Sequence, residues 1–521
     1  MLARKLTVCI AIICISLLCL LPSVFAAGES SENVVINILT VNDFHGALSE
    51  SGKNPGMAKL AAFLKAEVAK NPAGTIIVSA GDMFQGTPES NMLYGKPVVQ
   101  AMNEIGFSAM AIGNHEFDWG IQVLRERIAQ SSFPYLAANI IDKATGQVVS
   151  FIKPYTIVEK NGLKIAIIGL ATPETAYKTN PKYSKNYNFA DPAQTVTQRI
   201  PELKQQGTDI IIVLSHLGSE IEPLTRQVKG EAADLARAVP TIDAIISGHT
   251  HQKVAGAVSS VPIIQAAYNG RAVGNLCLTF SKMDRKVIAA ESNVIELAAA
   301  NLVADPAVKT IVDKVQEEVA PMKNKVLGHT VYELNHEKYS HSVLGQWVTD
   351  SMRQKVKADI AFENGGGLRA SIPAGAITLG SLYQVVPFDN TLITVDLTGK
   401  QIMEVLEHGI GNQQIGMMQF SGLSVECDKS LPEGKKITRV TLTDGSNFSL
   451  TKVYKVVTND FMAQGGDGFT TFSQGEHMID TQLPLRDCLI EAVMKKKVIN
   501  ATVDKRFIEV MPVSTVHRLA A

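Results

Sequence analysis

One local pattern recurs along the first half of the sequence, between residues 34 and 280. A short β-branched apolar run leads into a polar cluster rich in Gly, Asp, Asn or His, and a helix-like segment follows. Such runs predict buried strands of an α/β sheet. The runs cover residues 34–41, 75–80, 109–112, 164–170, 209–214 and 244–246. Each polar cluster follows the carboxyl end of its strand, where open α/β sheets bind ligands, so we expect distant clusters to meet at one site.

The polar clusters supply carboxylate, imidazole and amide groups, which are the ligands of mixed oxygen–nitrogen metal sites. They are Asp43-Phe44-His45, Gly81-Asp82, Gly113-Asn114-His115-Glu116-Phe117-Asp118, Ser215-His216 and Gly248-His249-Thr250-His251. Two cations about 3.5–4 Å apart repel each other unless a carboxylate bridges them, and Asp82 suits that position. Any single cluster also fits a capped strand end with surface histidines, but five clusters in register favour a dimetal centre that hydrolyses phosphate esters.

The length of 521 residues exceeds what one hydrophobic core usually organises, so we expect two domains. The pattern changes near residue 301, where Asp305 can cap a helix with Pro306 in its first turn. Pro321 is predicted to end this helix. The predicted division is a first domain over residues 27–300, a connector helix within 301–329 and a mixed α/β second domain over 330–521.

The first 26 residues have the features of a secretory signal peptide. Arg4 and Lys5 precede an apolar run over residues 6–21, and Ala26 ends a stretch that suits cleavage. The run is short for a membrane span of about 20 residues. We therefore expect an exported protein, periplasmic or extracellular, without a stable membrane span; an uncleaved anchor is the alternative. Lipidation at Cys19 is disfavoured by the two leucines that precede it.

Charge and cysteine content narrow the possible partners. Without residues 1–26, which hold two of the 49 basic and none of the 50 acidic residues, the formal charge is about −3. This balance argues against binding of a nucleic-acid polymer through a broad basic surface. Three of six cysteines lie outside the signal segment, namely Cys277, Cys427 and Cys488. A Cys427–Cys488 bridge and buried free thiols both remain open.

The spacing Asp-x-His, Gly-Asp, Gly-Asn-His-Glu, Ser-His and Gly-His-x-His resembles the calcineurin-like metallophosphoesterase superfamily. Four longer stretches resemble the 5′-nucleotidase/UDP-sugar hydrolase family: 40–46, 113–120, 364–369 (Asn-Gly-Gly-Gly-Leu-Arg) and 461–469 (Phe-Met-Ala-Gln-Gly-Gly-Asp-Gly-Phe). The resemblance implies an N-terminal four-layer α/β/β/α metallophosphoesterase sandwich, a connector helix and a C-terminal mixed α/β substrate-binding domain. It also implies that the C-terminal domain swings about the connector.

The resemblance assigns roles to the clustered residues. One divalent ion would be held by Asp43, His45, Asp82 and His251, and the other by Asp82, Asn114, His216 and His249. His115 would stabilise the charge that develops on the phosphate, with Asp118 holding its other ring nitrogen. Glu116 is expected to serve local packing or capping. The ions would be Zn, Mn or similar, since many divalent metals accept such sites.

In the second domain the resemblance places phosphate against Asn364 and Arg369, a nucleobase on Phe461 and a ribose on Asp467. Two departures concern the substrate. Ser340 stands where the family usually has an arginine, and Lys338 or His341 could replace the lost charge. Met417 stands where a second stacking aromatic is expected, so we also take Phe420 as a candidate substrate contact.

The function expected from these residues is hydrolysis of nucleoside 5′-monophosphates, a small-molecule reaction. Alternatives on the same scaffold are a 2′,3′-cyclic nucleotide phosphodiesterase, a UDP-sugar hydrolase and a hydrolase of sulfur compounds. A non-catalytic nucleotide-binding protein is a further alternative from another class. The oligomeric state is left open by the sequence.

Overall fold

The computed structural model describes residues 33–297, 302–410, 412 and 414–510. The predicted signal peptide lies outside the described residues. Within these ranges, the structure contains no helix with the length and apolar character needed to cross a membrane.

Sixteen described strands come from the first half of the chain, and eight α-helices connect them. The strands are β1 (Asn33–Val41), β2 (Thr75–Ser79), β3 (Ala109–Ala111), β4 (Tyr135–Leu136), β5 (Ile140–Asp142), β6 (Tyr155–Lys160), β7 (Leu163–Leu170), β8 (Tyr187–Phe189), β9 (Ile210–Gly218), β10 (Glu220–Ile221), β11 (Val228–Lys229), β12 (Ala244–Gly248), β13 (Lys253–Val258), β14 (Val261–Ala266), β15 (Ala272–Ser281) and β16 (Lys286–Glu296). The helices are α1 (Gly56–Lys70), α2 (Pro88–Asn91), α3 (Lys96–Ile105), α4 (Gly120–Gln130), α5 (Thr175–Lys178), α6 (Pro181–Ser184), α7 (Pro192–Gln205) and α8 (Glu231–Ala238).

Two six-stranded sheets form the centre of this half, in the orders β16-β15-β1-β2-β3-β4 and β13-β14-β12-β9-β7-β6. In each sheet four neighbouring strands run parallel and the remaining strands pair antiparallel. Apolar side chains from both sheets, such as Ile38, Ile167 and Ile246, form one buried cluster between them. Two further clusters lie beneath the outer helices. The predicted four-layer α/β/β/α sandwich is therefore confirmed.

The end of one predicted strand differs from the sequence expectation. The strand that begins at Ile210 was expected to end before Ser215 and His216, but β9 continues to Gly218 with both residues inside it. It continues because Gly218 still pairs with Gly248 of β12. His216 is therefore fixed by strand backbone on a fully buried segment rather than by a loop.

The helix after the first half, α9 (Pro306–Lys323), begins as predicted: the Asp305 side chain accepts a hydrogen bond from Val308 N at 3.0 Å. It does not end at Pro321, since two more residues follow within the helix. A proline in the last turn removes only one backbone donor, which explains why the helix tolerates it there. Val308 and Val312 pack into the core of the first half.

The described residues of the second half form shorter sheets and five more α-helices. The strands are β17 (Val326–Thr330), β18 (Ile360–Glu363), β19 (Gly375–Thr378), β20 (Thr391–Thr398), β21 (Gln419–Ser421), β22 (Leu423–Cys427), β23 (Ile437–Leu442), β24 (Val453–Asn459), β25 (Glu476–Pro484), β26 (Val498–Ile499) and β27 (Phe507–Glu509). The helices are α10 (Val343–Val356), α11 (Leu379–Val385), α12 (Gly399–Gly409), α13 (Asp460–Ala463) and α14 (Leu485–Lys496). A mixed five-stranded sheet, β21-β18-β24-β20-β25, lies at the centre.

The cysteines outside the signal segment are free thiols. Cys427 and Cys488 are both buried, but they lie in different hydrophobic clusters of the second half. The bridge between them, left open by the sequence, does not form. They contribute to packing as small apolar side chains.

A buried carboxyl at the end of β18 is expected to make stability depend on pH. Asn459 Nδ2 donates to Glu363 Oε1 at 2.9 Å, whereas Glu363 Oε2 has no partner among the described residues. Burial raises the pKa of Glu363 from 4.5 to about 8. The folded protein therefore keeps a proton that the unfolded chain releases, so stability falls as pH rises from about 4.5 to 8, by about 1.4 kcal/mol per pH unit.

We predict that Glu363→Gln, which cannot ionise, flattens this slope by the equivalent of one proton. Urea unfolding of wild type and variant at three pH values between 5 and 8 measures the difference. Glu337→Gln, at an exposed position, is the matched control and should keep the wild-type slope. Equal slopes in all three proteins would contradict the prediction.

Candidate active site

The loops at the carboxyl ends of the central strands carry most of the candidate ligands, and their backbone conformation is unusual. Five of these residues have φ values between +49° and +72°, in the left-handed region: Asp43, His45, Asp82, His249 and His251. Such conformations cost a non-glycine residue about 1–3 kcal/mol each and persist where the surrounding structure fixes them. Five such residues in neighbouring loops indicate a functional site from the backbone conformation alone.

The first cluster consists of Asp43, His45 and His251, whose ligand atoms all lie within 4.8 Å of one another. His251 Nε2 is 3.1 Å from His45 Nε2 and 3.4 Å from Asp43 Oδ1. The backbone N–H of His249 donates to Asp43 Oδ2 at 3.0 Å. The structure thus brings together residues that lie more than 200 positions apart in the sequence.

The second cluster consists of Asp82, His216 and His249, also within 4.8 Å. His216 Nε2 lies 3.0 Å from Asp82 Oδ2 and 4.0 Å from Asp43 Oδ1, so the two clusters adjoin. Asn114 follows β3, and its buried Oδ1 has no hydrogen-bond partner among the described residues. All seven residues expected to be ligands therefore lie at the same edge of the two sheets.

Three histidines are oriented so that one ring nitrogen is left for a cation. His45 Nδ1 lies 2.8 Å from Gln85 O and His216 Nδ1 lies 2.7 Å from Ala80 O. A ring nitrogen that faces a carbonyl oxygen carries a proton, so Nε2 is the nitrogen of both rings that can bind a cation. His249 is reversed: its Nε2 lies 3.0 Å from Glu174 Oε2, which leaves Nδ1. These donor sets fit divalent cations.

The electrostatics of the clustered side chains lead to the same conclusion. Burial would lower the pKa of His216, but contact with the Asp82 and Asp43 carboxylates outweighs burial and raises the pKa to about 10. Burial would raise the pKa of Asp82, but His216 and His115 hold it well below its usual value. Burial, together with His251 and His115, lowers the pKa of His45 to about 3. The two carboxylates thus favour positive charge at this position, which is the charge that a divalent cation would supply.

Glu116 joins two of the ligand loops. Its fully enclosed carboxylate accepts hydrogen bonds from Asp82 N and Met83 N at 2.9 Å and from Gly113 N at 2.8 Å. The loops approach closely, since a Cβ on Gly113 would lie 2.2 Å from Asp82 Oδ1. Burial and the nearby Asp82 raise the pKa of Glu116 to about 7. Glu116 thus caps backbone N–H groups, as expected, and in doing so links the loops after β2 and β3.

His115 and Asp118 form a hydrogen-bonded pair, with His115 Nδ1 2.7 Å from Asp118 Oδ2. Burial alone would lower the pKa of His115, but Asp118 and Asp82 outweigh it and raise the pKa. Phe388, from the second half of the chain, stacks on the His115 ring at 5.8 Å between centroids and 20° between planes. Thr179 Oγ1 contacts the second Asp118 oxygen at 3.2 Å.

A cleft of about 910 Å³ lies between the two halves and collects residues from both. Those from the first half include Asp82, Asn114, His115, Asp118, His249 and His251, and those from the second include Asn364, Arg369, Phe461 and Asp467. Asp43, His45 and His216 lie beneath this surface and are almost fully buried. The predicted phosphate and nucleoside contacts thus face the predicted metal centre.

The glycine run after β18 gives the cleft its shape. A Cβ on Gly367 would lie 2.5 Å from Glu363 Oε1, so a side chain does not fit there. Asn364 Nδ2 donates to Asp467 Oδ2 at 3.1 Å, and the exposed Arg369 lies beside Gly366 O at 3.4 Å from Nη1. Backbone and guanidinium donors are therefore available to an anion at this wall.

Phe420 does not contact the cleft, contrary to the sequence expectation. It is fully buried, opposite Phe362 in the β18–β21 pairing, and Met417 is buried in the same cluster. Tyr339, which the sequence did not single out, lines the cleft instead. Of the two possible replacements for the missing arginine, Lys338 lines the cleft. His341 is packed against Phe420, and burial lowers its pKa to about 4.

Two family models match the chain: calcineurin-like phosphoesterase over residues 36–253 and 5′-nucleotidase, C-terminal domain, over residues 319–474. The chain belongs to the 5′-nucleotidase family of calcineurin-like phosphoesterases. A 5′-nucleotidase of Vibrio cholerae is 29% identical over 501 residues, which cover 87% of this chain and 89% of that protein. The crystal structure of a 5′-nucleotidase precursor from Thermus thermophilus has a TM-score of 0.79 at 29% identity and covers 92% of this chain and 99% of that one.

Some relatives of this chain are much longer. A Bacillus subtilis protein named Endonuclease YhcR is 30% identical over 460 residues, which cover 83% of this chain but 37% of that protein. In two further curated relatives the matched region covers 65% and 32% of the full length. The chain therefore corresponds to one part of these longer proteins.

The link that Glu116 makes between two loops predicts a stability loss in Glu116→Gln. The amide nitrogen of Gln would face a backbone N–H donor, so one buried group would lose its partner. We expect the free energy of unfolding to fall by about 1–3 kcal/mol in urea denaturation of the metal-stripped protein. Glu159→Gln, at an exposed position on β6, should change it by less than about 0.5 kcal/mol. Equal stability of the two variants would contradict this role for Glu116.

Proposed function

We propose that this chain is an exported phosphohydrolase that uses two divalent cations to remove the phosphate from nucleoside 5′-monophosphates. One observation carries the proposal: two adjoining clusters of buried ligand groups and the His115–Asp118 pair open into the same cleft as Arg369 and Phe461. A centre for phosphate chemistry therefore faces groups suited to a nucleotide. Relatives named 5′-nucleotidase support the same substrate class.

In this proposal the side chains divide between two cations, Zn, Mn or similar. Asp43, His45, Asp82 and His251 would hold one cation, and Asp82, Asn114, His216 and His249 the other. When bound, the cations would lower the pKa of water and neutralise charge on the phosphate. Asp82 suits the shared position because its carboxylate lies 3.0 Å from His216 Nε2 of one cluster, and its backbone oxygen accepts a hydrogen bond from His45 N of the other at 3.1 Å.

His115 acts on the phosphate in this proposal. Its Nδ1–H donates to Asp118 Oδ2, which fixes the ring and directs Nε2 away from the carboxylate. An imidazolium in this position stabilises negative charge on the phosphate oxygens and can give a proton to the leaving oxygen. Phe388 and Thr179 hold the pair from either side.

The second half of the chain selects the substrate. In this proposal Asn364, Arg369 and the backbone of the Gly365–Gly367 turn bind phosphate oxygens. Asp467 faces the ribose, and Phe461 presents a ring to the base. A Cβ on Gly466 would lie 2.5 Å from the Phe461 ring, so the ring rests directly on this glycine. Its other face is the one left for a ligand.

A second candidate function is hydrolysis of nucleotides with more than one phosphate, such as UDP-sugars. Lys178 and Lys338 line the same cleft as Arg369 and extend the positive charge beyond a single phosphate. Relatives named UshA and a trifunctional nucleotide phosphoesterase are similar to this chain. Rates on AMP, 2′,3′-cyclic AMP, UDP-glucose and ATP, with each cation restored to metal-stripped protein, decide between the candidates. Dominant activity outside AMP would replace the first.

We predict that His115→Ala lowers phosphate release from AMP by about 10²–10⁴-fold while the protein still binds two cations per chain. Asp118→Asn keeps a hydrogen-bonding group beside the ring and should lose less. Phosphate release and metal content are measured on the same samples. Retained turnover in His115→Ala would remove this residue from the mechanism, and absence of turnover in wild type on every substrate would favour a binding protein.

A further inference from the structure

A short segment of the first half, residues 174–182, contacts both the metal-ligand cluster and the catalytic pair. At its start, Glu174 Oε2 lies 3.0 Å from His249 Nε2. Further along, Thr179 Oγ1 lies 3.2 Å from Asp118 Oδ1. No motif in the sequence marks these two residues, yet each touches a group that the proposed function uses.

The same segment is fastened to the second half of the chain by three polar contacts. Lys178 Nζ lies 3.2 Å from Asp467 Oδ1. Asn180 Nδ2 donates to Asp460 Oδ2 at 2.7 Å, and Lys182 Nζ lies 3.0 Å from the same oxygen. Both carboxylates are buried, so these contacts are shielded from solvent and are stronger than surface ion pairs.

The segment has little structure of its own to hold these positions. The helix α5 within it and the helix α6 that begins at its end contain four residues each, and the Glu174 side chain is 37% exposed. A helix of one turn is not stable in isolation, so tertiary contacts must fix the segment. The described contacts that can do so across the cleft come from Asp460 and Asp467 of the second half.

We infer that the second half of the chain helps to build the metal site: Asp460 and Asp467 hold segment 174–182, and Glu174 in turn acts as a positioning residue for His249. The inference rests on the proposed function only for the identity of His249 as a ligand. A carboxylate that accepts from the non-ligating nitrogen of a histidine fixes both the proton and the ring orientation. The ligand geometry of one cation site therefore depends on contacts made across the cleft.

The first experiment measures cation binding without substrate. Calorimetric titration of metal-stripped protein with Mn²⁺ should resolve two sites. Glu174→Ala should weaken one site by about 10–100-fold and leave the other within about threefold, since only His249 loses its partner. Glu174→Gln, which keeps an acceptor oxygen, should restore most of the affinity. Unchanged binding at both sites in Glu174→Ala would overturn the positioning role.

The second experiment tests the dependence on the second half. The double variant Lys178→Met/Lys182→Met breaks both ion pairs without touching a ligand, and should weaken the same Mn²⁺ site by roughly 2–30-fold. In a protein that already carries Glu174→Ala, the double variant should cause no further loss of Mn²⁺ affinity, because both changes act on His249 through Glu174. Lys185→Met is the control: Lys185 is exposed three residues beyond the segment and has no ion pair among the described residues.

Wild-type Mn²⁺ affinity in the double variant, or an equal additional loss in the Glu174→Ala background, would overturn the coupling. Lys182→Met alone gives the same test if thermal unfolding shows that the double variant does not fold. The titrations contain no nucleotide, so their outcome is independent of whether AMP is the substrate. Two normal Mn²⁺ sites without nucleotide hydrolysis would instead count against the proposed function alone.

Discussion

Two buried carboxylates determine the character of the site. Asp43 and Asp82 are withdrawn from water at the edge where the two sheets meet, and a negative charge in such surroundings must be compensated. Imidazoles surround them, and contact with Asp82 and Asp43 raises the pKa of His216, so positive charge is favoured beside the two carboxylates. The loops, the reversed orientation of His249 and the closely packed glycines all serve to place compensating groups around these two side chains.

That arrangement is held by polar contacts as much as by packing. The apolar layers between and outside the sheets fix where each strand ends, and they also bury Phe44, Met83 and Phe117 of the loops that follow. Glu116 joins two of those loops through three backbone donors, and Asp43 accepts from the backbone of His249. The site is therefore organised from inside by its own acidic groups, on a scaffold that hydrophobic burial provides.

Much of the fold and the ligand set could be predicted from sequence because both produce regular local signals. β-branched runs mark the strands, and Asp, Asn and His clusters recur at their ends. Phe420 was placed wrongly because side chains alternate across a strand, and a position two or three residues away cannot fix which face a residue occupies. Glu174 was missed because its contact with His249 spans 75 residues and depends on how the sheets pack. The helix was predicted to end at Pro321 because proline usually breaks a helix, but the local sequence does not show whether a proline lies in the last turn, where it is tolerated.

The left-handed backbone at five ligand positions also restricts how this centre could change during evolution. Asp, Asn and His tolerate that conformation better than most residues, whereas β-branched residues are strongly disfavoured there. A replacement at Asp82 or His249 must therefore satisfy the chain geometry as well as the chemistry of the cation. Descendants of this centre could therefore adopt fewer metals than the chemistry of the ligands alone would permit. Exchange of one ligand type for another would be easiest at Asn114 and His216, where the backbone is unstrained.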